Sequence, residues 1–221
     1  MPATTVQRTA RSASRVPAPI ILPAARSARS MSLARALSLR QTTRTLSDRP
    51  LPLPLLSGLL WSACGVNRAK GPFGLSGRTA ASASNSQEID VYVACAEATY
   101  RYEPLRHRLI PVVQGDLRSL AISRGQNASG SIAPVRLLYV VDIDKLEHTA
   151  GFQEPGLQDP EIQRAYAHVD TGIIAAHVYL YAAANGLAAW FHNCDKPALA
   201  AALGLRAHQR ALFAHTVGYP R

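Results

Sequence analysis

The stretch Pro160–Ala184, PEIQRAYAHVDTGIIAAHVYLYAAA, runs into Asn185-Gly186-Leu187, and its reading decides the fold. Ala165, Val169, Ile173, Ala176, Leu180 and Ala184 recur at helical spacing, and Ala175, Val178 and Ala182 widen the stripe. An apolar face this broad belongs to a helix in the middle of a fold or at a subunit contact. Gly186 is the expected stop, with a strand over Leu187–Phe191 after it. Asp195 is the expected N-cap of a helix Pro197–Leu203, stopped in turn by Gly204, and Ala211–Val217 reads as a last strand.

Upstream of that helix, Val135–Val141 is a continuous apolar run, the pattern of a strand covered on both faces. Ile89–Ala94 alternates as a strand does, and Tyr100–Tyr102 with Leu109–Val113 predicts a hairpin beside it. Helices are expected at Ser32–Arg40, at Pro54–Cys64 and, shorter, at Gly115–Ala121. Gly65–Ser86, rich in Gly, Ser, Asn and Ala, reads as one loop, and a loop of over twenty residues is expected to serve function. Strands and helices mix without strict alternation, which favours an α+β layered domain.

Eight arginines and no lysine, aspartate or glutamate lie between Met1 and Ser47, so by subtraction only about +2 of the total charge of +10 remains on the body. A nucleic-acid groove needs clustered charge on the folded part, which argues against that partner. Residues 1–33 form a basic Arg/Ser/Pro-rich tail, and its first thirty or so positions lack the apolar surface to offset ordering. Three origins fit it. It resembles a transit peptide; Val16–Ala25 reads as a poor secretory core broken by Pro17, Pro19 and Pro23; or Met31 is the true start, which we favour. No run approaches the length of a membrane span. Cys64, Cys95 and Cys194 are too scattered for a disulfide framework, and free thiols fit a reducing compartment. The cytoplasm is therefore expected, with an exported or organellar location as the alternative if the tail is a targeting segment.

Several chemistries lack their motifs. His168 and His177 share a helix but stand nine residues apart, and no His-Glu-x-x-His occurs, so no metal is expected. There is no Gly-x-Ser-x-Gly elbow, and Gly71, Gly74 and Gly77 fit neither nucleotide-binding spacing.

Two stretches in order carry a resemblance. Arg40-Gln41-Thr42-Thr43-Arg44-Thr45-Leu46, followed by Ser47-Asp48-Arg49-Pro50-Leu51-Pro52, places a hydroxyl between guanidinium groups ahead of a Pro-containing turn. Gly77-Arg78-Thr79-Ala80-Ala81-Ser82-Ala83-Ser84-Asn85-Ser86-Gln87 then leads straight into a strand. Together with Leu60–Arg68, the long helix and the terminal Val217-Gly218-Tyr219-Pro220-Arg221, they make residues 34–221 resemble the nitroreductase family, including related dehydrogenases that oxidise azoline rings.

The resemblance implies a three-layer α-β-α sandwich whose mixed, mostly antiparallel sheet surrounds a long central helix. It implies FMN held by a homodimer, with NAD(P)H as co-substrate and a nitroaromatic or quinone as acceptor. Arg40, Gln41, Thr42, Arg44 and Arg221 would approach the phosphate, where guanidinium groups suit a dianion. Gln41 stands where the family usually has a basic residue, and Ala81 where it has proline. The amides of Asn85 and Gln87 would face the flavin, since an amide both donates and accepts. A backbone N–H at Asn185-Gly186 would contact its central ring. No side chain is assigned as catalytic, because hydride transfer needs no acid–base group. Two other readings stay open. One is an azoline-oxidising dehydrogenase, although the Lys-x-Tyr motif of those enzymes is absent; the other is a non-catalytic flavin-binding protein.

Overall fold

The computed structural model describes residues 17–25, 31–123, 125–126, 133–152 and 158–221. Strand β1 (Ile20–Ile21) is followed by helices α1 (Leu33–Leu39) and α2 (Leu53–Cys64), then strands β2 (Val66–Arg68) and β3 (Gly77–Arg78). Strands β4 (Ile89–Ala94), β5 (Ala98–Glu103), β6 (Arg108–Gln114) and β7 (Val135–Asp142) come next, then helices α3 (Ile143–Glu147) and α4 (Pro160–Ala184). Strand β8 (Ala188–His192), helix α5 (Lys196–Leu203) and strand β9 (Gln209–Gly218) end the chain. The main sheet has the order β1-β6-β5-β4-β7-β9-β8, and every pairing in it is antiparallel.

Strand β7 explains the layering. All eight of its residues are buried, because side chains alternate between two covered faces. Val135, Leu137, Tyr139 and Val141 join Leu56, Leu59, Ile174 and Val178 in the core under α2 and α4. Leu138 and Val140 face the other way, onto Leu199 and Leu203 of α5. Helices thus cover both sides of the sheet, as the α-β-α expectation requires.

Helix α4 has the predicted ends. Asp159 accepts a hydrogen bond from the Glu161 N–H at 2.7 Å, and Pro160 occupies the first turn. At the far end Gly186, at φ +67°, lets the Leu187 N–H return to the Ala182 carbonyl at 2.9 Å. Gly204, at φ +61°, closes α5 in the same way through the Leu205 N–H and Ala200. The inner face of α4 packs through Ala167, Ile174, Val178 and Ala182, whereas Ala165, Val169 and Ala176 of the predicted stripe stay exposed.

Three expectations need correction. Residues 17–25 of the tail are ordered: Ile20 and Ile21 pair with Leu109 and Arg108, and Leu22 is buried in the core. The free edge of β6 supplies backbone partners that no local pattern in the tail reveals. The remainder of the first thirty residues, 1–16 and 26–30, lies outside the described residues. Gly115–Ala121 is a run of turns rather than a helix, because Asp116 accepts from the Arg118 N–H and pairs with its guanidinium. Within Gly65–Ser86, β2 and β3 form a small antiparallel pair, so the expected loop has a stem.

Two neutral histidines lie within β8 and β9. His192 donates from Nδ1 to the Asn193 carbonyl and accepts at Nε2 from the Thr216 hydroxyl, while His215 faces the Tyr139 hydroxyl at 3.1 Å. Burial pushes His192 down to about 4 and His215 down to about 3. The unfolded chain takes up these protons below about 6.5 and the folded chain does not, so their contribution is present above that pH and lost as pH falls toward 4. Melting temperature should therefore fall over pH 6.5 to 4. It should fall less steeply in His192→Gln, which calorimetry across that range will show.

Candidate functional site

The loop from Pro72 to Glu88 is shaped by its own polar side chains. Asn85 donates from Nδ2 to the carbonyls of Pro72 at 3.1 Å and Ser76 at 3.4 Å. Gln87 donates from Nε2 to Ser76 O at 2.7 Å and to Asn85 Oδ1 at 3.1 Å, and its Oε1 accepts from Arg78 Nε at 2.7 Å. These bonds offset an unfavourable backbone: Ser84, Asn85 and Gln87 all sit at positive φ, between 49° and 56°. The side chain of Asp170, from the middle of α4, accepts from the Ala83 N–H at 2.8 Å and fixes the loop to the helix.

Between this loop, the start of β4 and α4 lies a cavity of about 590 Å³. Leu75, Ile89, Val91 and Ile174 give it apolar walls, and Arg78, Lys145, Glu88 and Asp170 bring ionisable groups to it. Lys145 is held by Asp90 at 2.7 Å, and Arg78 reaches Gln87 and the Cys64 carbonyl. Glu88 is fully buried and accepts from the Ser86 hydroxyl at 2.7 Å, and Asp170, also buried, lines the same cavity. Burial first, and the Asp170 charge second, push Glu88 up to about 8. Burial raises Asp170 as well, so the two carboxyl groups titrate as a pair that keeps a proton above the ordinary carboxylate range.

A second, smaller pocket of about 230 Å³ lies near the other end of α4, between Gln41, Thr43, Tyr179, Gly186 and Pro220. Tyr179 organises it. Its hydroxyl lies 3.0 Å from Thr42 Oγ1 and accepts from the Phe191 N–H at 2.9 Å, and its ring carries the Arg40 guanidinium at 5.5 Å. Arg44 lies over Trp190 at 5.7 Å, and the Thr43 N–H donates to the Ala189 carbonyl. The exposed C-terminal Arg221 joins the group through its N–H to the Thr45 carbonyl at 3.4 Å. Among the described residues, Arg40, Arg44 and Arg221 have no ion-pair partner.

The predicted site residues therefore gather in two places. Arg40, Gln41, Thr42, Arg44, Asn185, Gly186 and Arg221 surround the smaller pocket's end of the molecule, while Asn85 and Gln87 belong to the large cavity's loop. From Asp170 to Ala183 the separation along the helix axis is about 20 Å. The Asn185 N–H is spent on the Tyr181 and Ala182 carbonyls, because Asn185 is the C-cap of α4. Tyr179, Glu88 and Asp170 were not singled out as site residues. Asp170 leaves a readable trace as a carboxylate on the helix's packed face, between Ala167 and Ile174, whereas Glu88 leaves none.

Comparison with known proteins agrees with this architecture. The model of the nitroreductase family matches residues 37–219. A candidate nitroreductase of Methanocaldococcus jannaschii is 26% identical over 155 residues, covering 67% of this chain and 71% of that protein. The crystal structure of a candidate nitroreductase from Ralstonia eutropha is 31% identical, covers 99% of this chain and 96% of its own, and superposes with a TM-score of 0.80. A chain of the E. coli microcin synthetase McbBCD complex shares the fold at 18% identity and a TM-score of 0.64, over 97% of this chain and 85% of that one.

Tyr179→Phe should test the bracing of the 40–45 segment. It removes the partner of the Thr42 hydroxyl and of the Phe191 N–H, a loss of about 1–3 kcal/mol. Amide exchange in residues 40–46 should quicken while that of β4 and β7 stays slow.

Proposed function

The chain belongs to the nitroreductase family, and from that premise we propose that it is an FMN-dependent oxidoreductase, passing hydride from NAD(P)H to a small acceptor such as a nitroaromatic or a quinone. The observation that carries this reading is the set of arginines at the smaller pocket. Arg40 and Arg44 lean on aromatic rings rather than on acids, which leaves both guanidinium groups available to a phosphate dianion. Arg221 adds a third positive charge, and Thr42 and Gln41 add neutral donors. The donor set suits the phosphate end of FMN. The large cavity, apolar on its walls and polar along one side, suits a flat heteroaromatic ring.

FMN supplies the redox chemistry when bound, accepting and returning hydride. The chain's own residues bind and orient. We assign Asn85 and Gln87, whose amides are already partnered, to bracing the loop beside the ring. Gly186 shapes the smaller pocket's wall.

A homodimer completes the reading. The two groups of residues lie far apart along one α4, and the helix leaves an apolar stripe open beside them, with Val169 59% exposed. Large open apolar surface marks a protein contact, and a second copy seated there joins one chain's arginines to the other chain's cavity.

The purified protein should be yellow, with the absorption of oxidised flavin, and should consume NADH or NADPH when menadione or a nitrofuran is added. A protein that stays colourless after incubation with FMN overturns the reading; bound flavin that neither nucleotide bleaches points to a non-catalytic flavin carrier. The double change Arg40→Ala, Arg44→Ala should weaken FMN by about 100-fold or more, since each charge-assisted bond contributes about 1.5–3 kcal/mol. The affinity should fall with salt, and less steeply in the variant than in wild type. Val169→Asp should yield a monomer by light scattering, with FMN lost in parallel.

A further inference from the structure

Glu88 is a buried acid at the cavity wall whose chemistry the binding scheme does not use. It is fully buried, its Oε2 accepts from Ser86, and its Oε1 has no donor directed at it. Asp170, also buried, faces it from α4. Around the pair, Arg78 from β3 is engaged with Gln87 and Cys64, and Lys145 from α3 with Asp90 of β4. His148, just past α3, faces the carbonyl of Asp144. Burial raises the Cys64 thiol to about 12 and holds Tyr102 well above its ordinary range, so both are neutral. Among the described residues no cation bonds to the pair, and two bare carboxylates facing one cavity wall away from water are strongly disfavoured. The pair therefore favours holding a proton, next to about 590 Å³ of space with apolar walls.

We propose that Glu88, positioned by Asp170, is the proton donor to the acceptor reduced in this cavity, and that the acceptor is a flat quinone or conjugated ketone whose oxygen faces the pair. This rests on the flavoenzyme reading, which provides the hydride. Reducing a quinone to a hydroquinone takes two electrons and two protons. On that reading both electrons and one proton would come as hydride, originating from NAD(P)H. The Glu88 O–H bond breaks and supplies the second proton to the acceptor oxygen, leaving a carboxylate. That carboxylate lies beside the charge on Asp170, so the pair recovers a proton from solvent before the next turnover. A donor whose proton affinity lies near the working pH is well matched to this task.

The test separates electron transfer from proton transfer in the purified, FMN-loaded protein. Glu88→Gln keeps a donor toward Asp170 but has no acidic proton. NADH should bleach the flavin equally fast in wild type and variant. Reoxidation by menadione should be slower in the variant by about 100-fold, whereas reoxidation by ferricyanide, which needs no proton, should be unchanged. In wild type the menadione step should slow as pH rises through about 8; in Glu88→Gln it should be flat there. Asp170→Asn removes the neighbouring charge and should move the break to lower pH.

A second measurement is independent of turnover. The infrared carbonyl band of a protonated carboxyl should be present at pH 6, fade above pH 8, and be missing in Glu88→Gln, with or without cofactor. An equal loss with both acceptors means a structural role and overturns the proposal, as does no loss with either. A wild type lacking the infrared band overturns it too. If flavin does not bind or is not bleached, the flavoenzyme reading fails and the donor role with it, but the infrared band then still reports whether the pair holds its proton.

Discussion

Helix α4 is 25 residues long, about 37 Å from end to end, and it has more apolar surface than one sheet face can cover. Its inner face is fixed by packing on α2, α1 and β8, with Ile174, Val178 and Ala182 in the core. Once that face is set, every other position on the helix is set too. Asp170 must meet the loop before β4, Tyr179 must meet the segment after α1, and the Schellman turn at Gly186 must release the chain where β8 begins. Val169 and Ala176 are left pointing outward. One packing decision thus places both pockets and the open apolar stripe between them.

The loop from Pro72 to Glu88 pays a conformational cost for its place. Residues at left-handed φ without being glycine cost about 1 kcal/mol or more each, and Ser84, Asn85 and Gln87 all adopt it. The amides of Asn85 and Gln87, together with Arg78, tie the loop's turns to one another. Asp170 ties the loop to the helix through the Ala83 N–H. The charge of Asp170 is therefore wanted for two purposes at once. It anchors the loop, and it raises the proton affinity of Glu88. A neutral side chain could accept the Ala83 bond, but it would leave Glu88 free to ionise at lower pH.

The regular elements were readable because each rests on local patterning. The apolar run of β7, the spacing along α4, and the caps Asp195, Gly186 and Gly204 all act within a few residues of where they stand. What escaped depends on distant partners. Ile20, Ile21 and Leu22 become ordered only because β6 offers an open edge and α2 a place for one leucine. Asp116 turns a helical-looking segment aside through side-chain bonds that outcompete the backbone. The motif residues Arg40, Thr42 and Arg44 are readable by order and type as candidates, but Tyr179, which braces their segment, sits 137 positions away from Thr42 in sequence. Glu88 precedes an ordinary strand, and only the fold sets it against Asp170.

The division of the site into two distant halves has a thermodynamic consequence. If one chain's Arg40 and Arg44 complete the other chain's cavity, neither half binds the whole cofactor by itself. Anything that binds only the paired state stabilises pairing, and pairing strengthens its binding by the same free energy. The exposed stripe on α4 then need not hold two chains together unaided, because the phosphate neutralises arginines that would otherwise repel across the contact. Apolar burial along α4 and charge neutralisation at its end act on the same equilibrium, and each relieves a defect the other leaves: open apolar surface in one case, unpaired positive charge in the other.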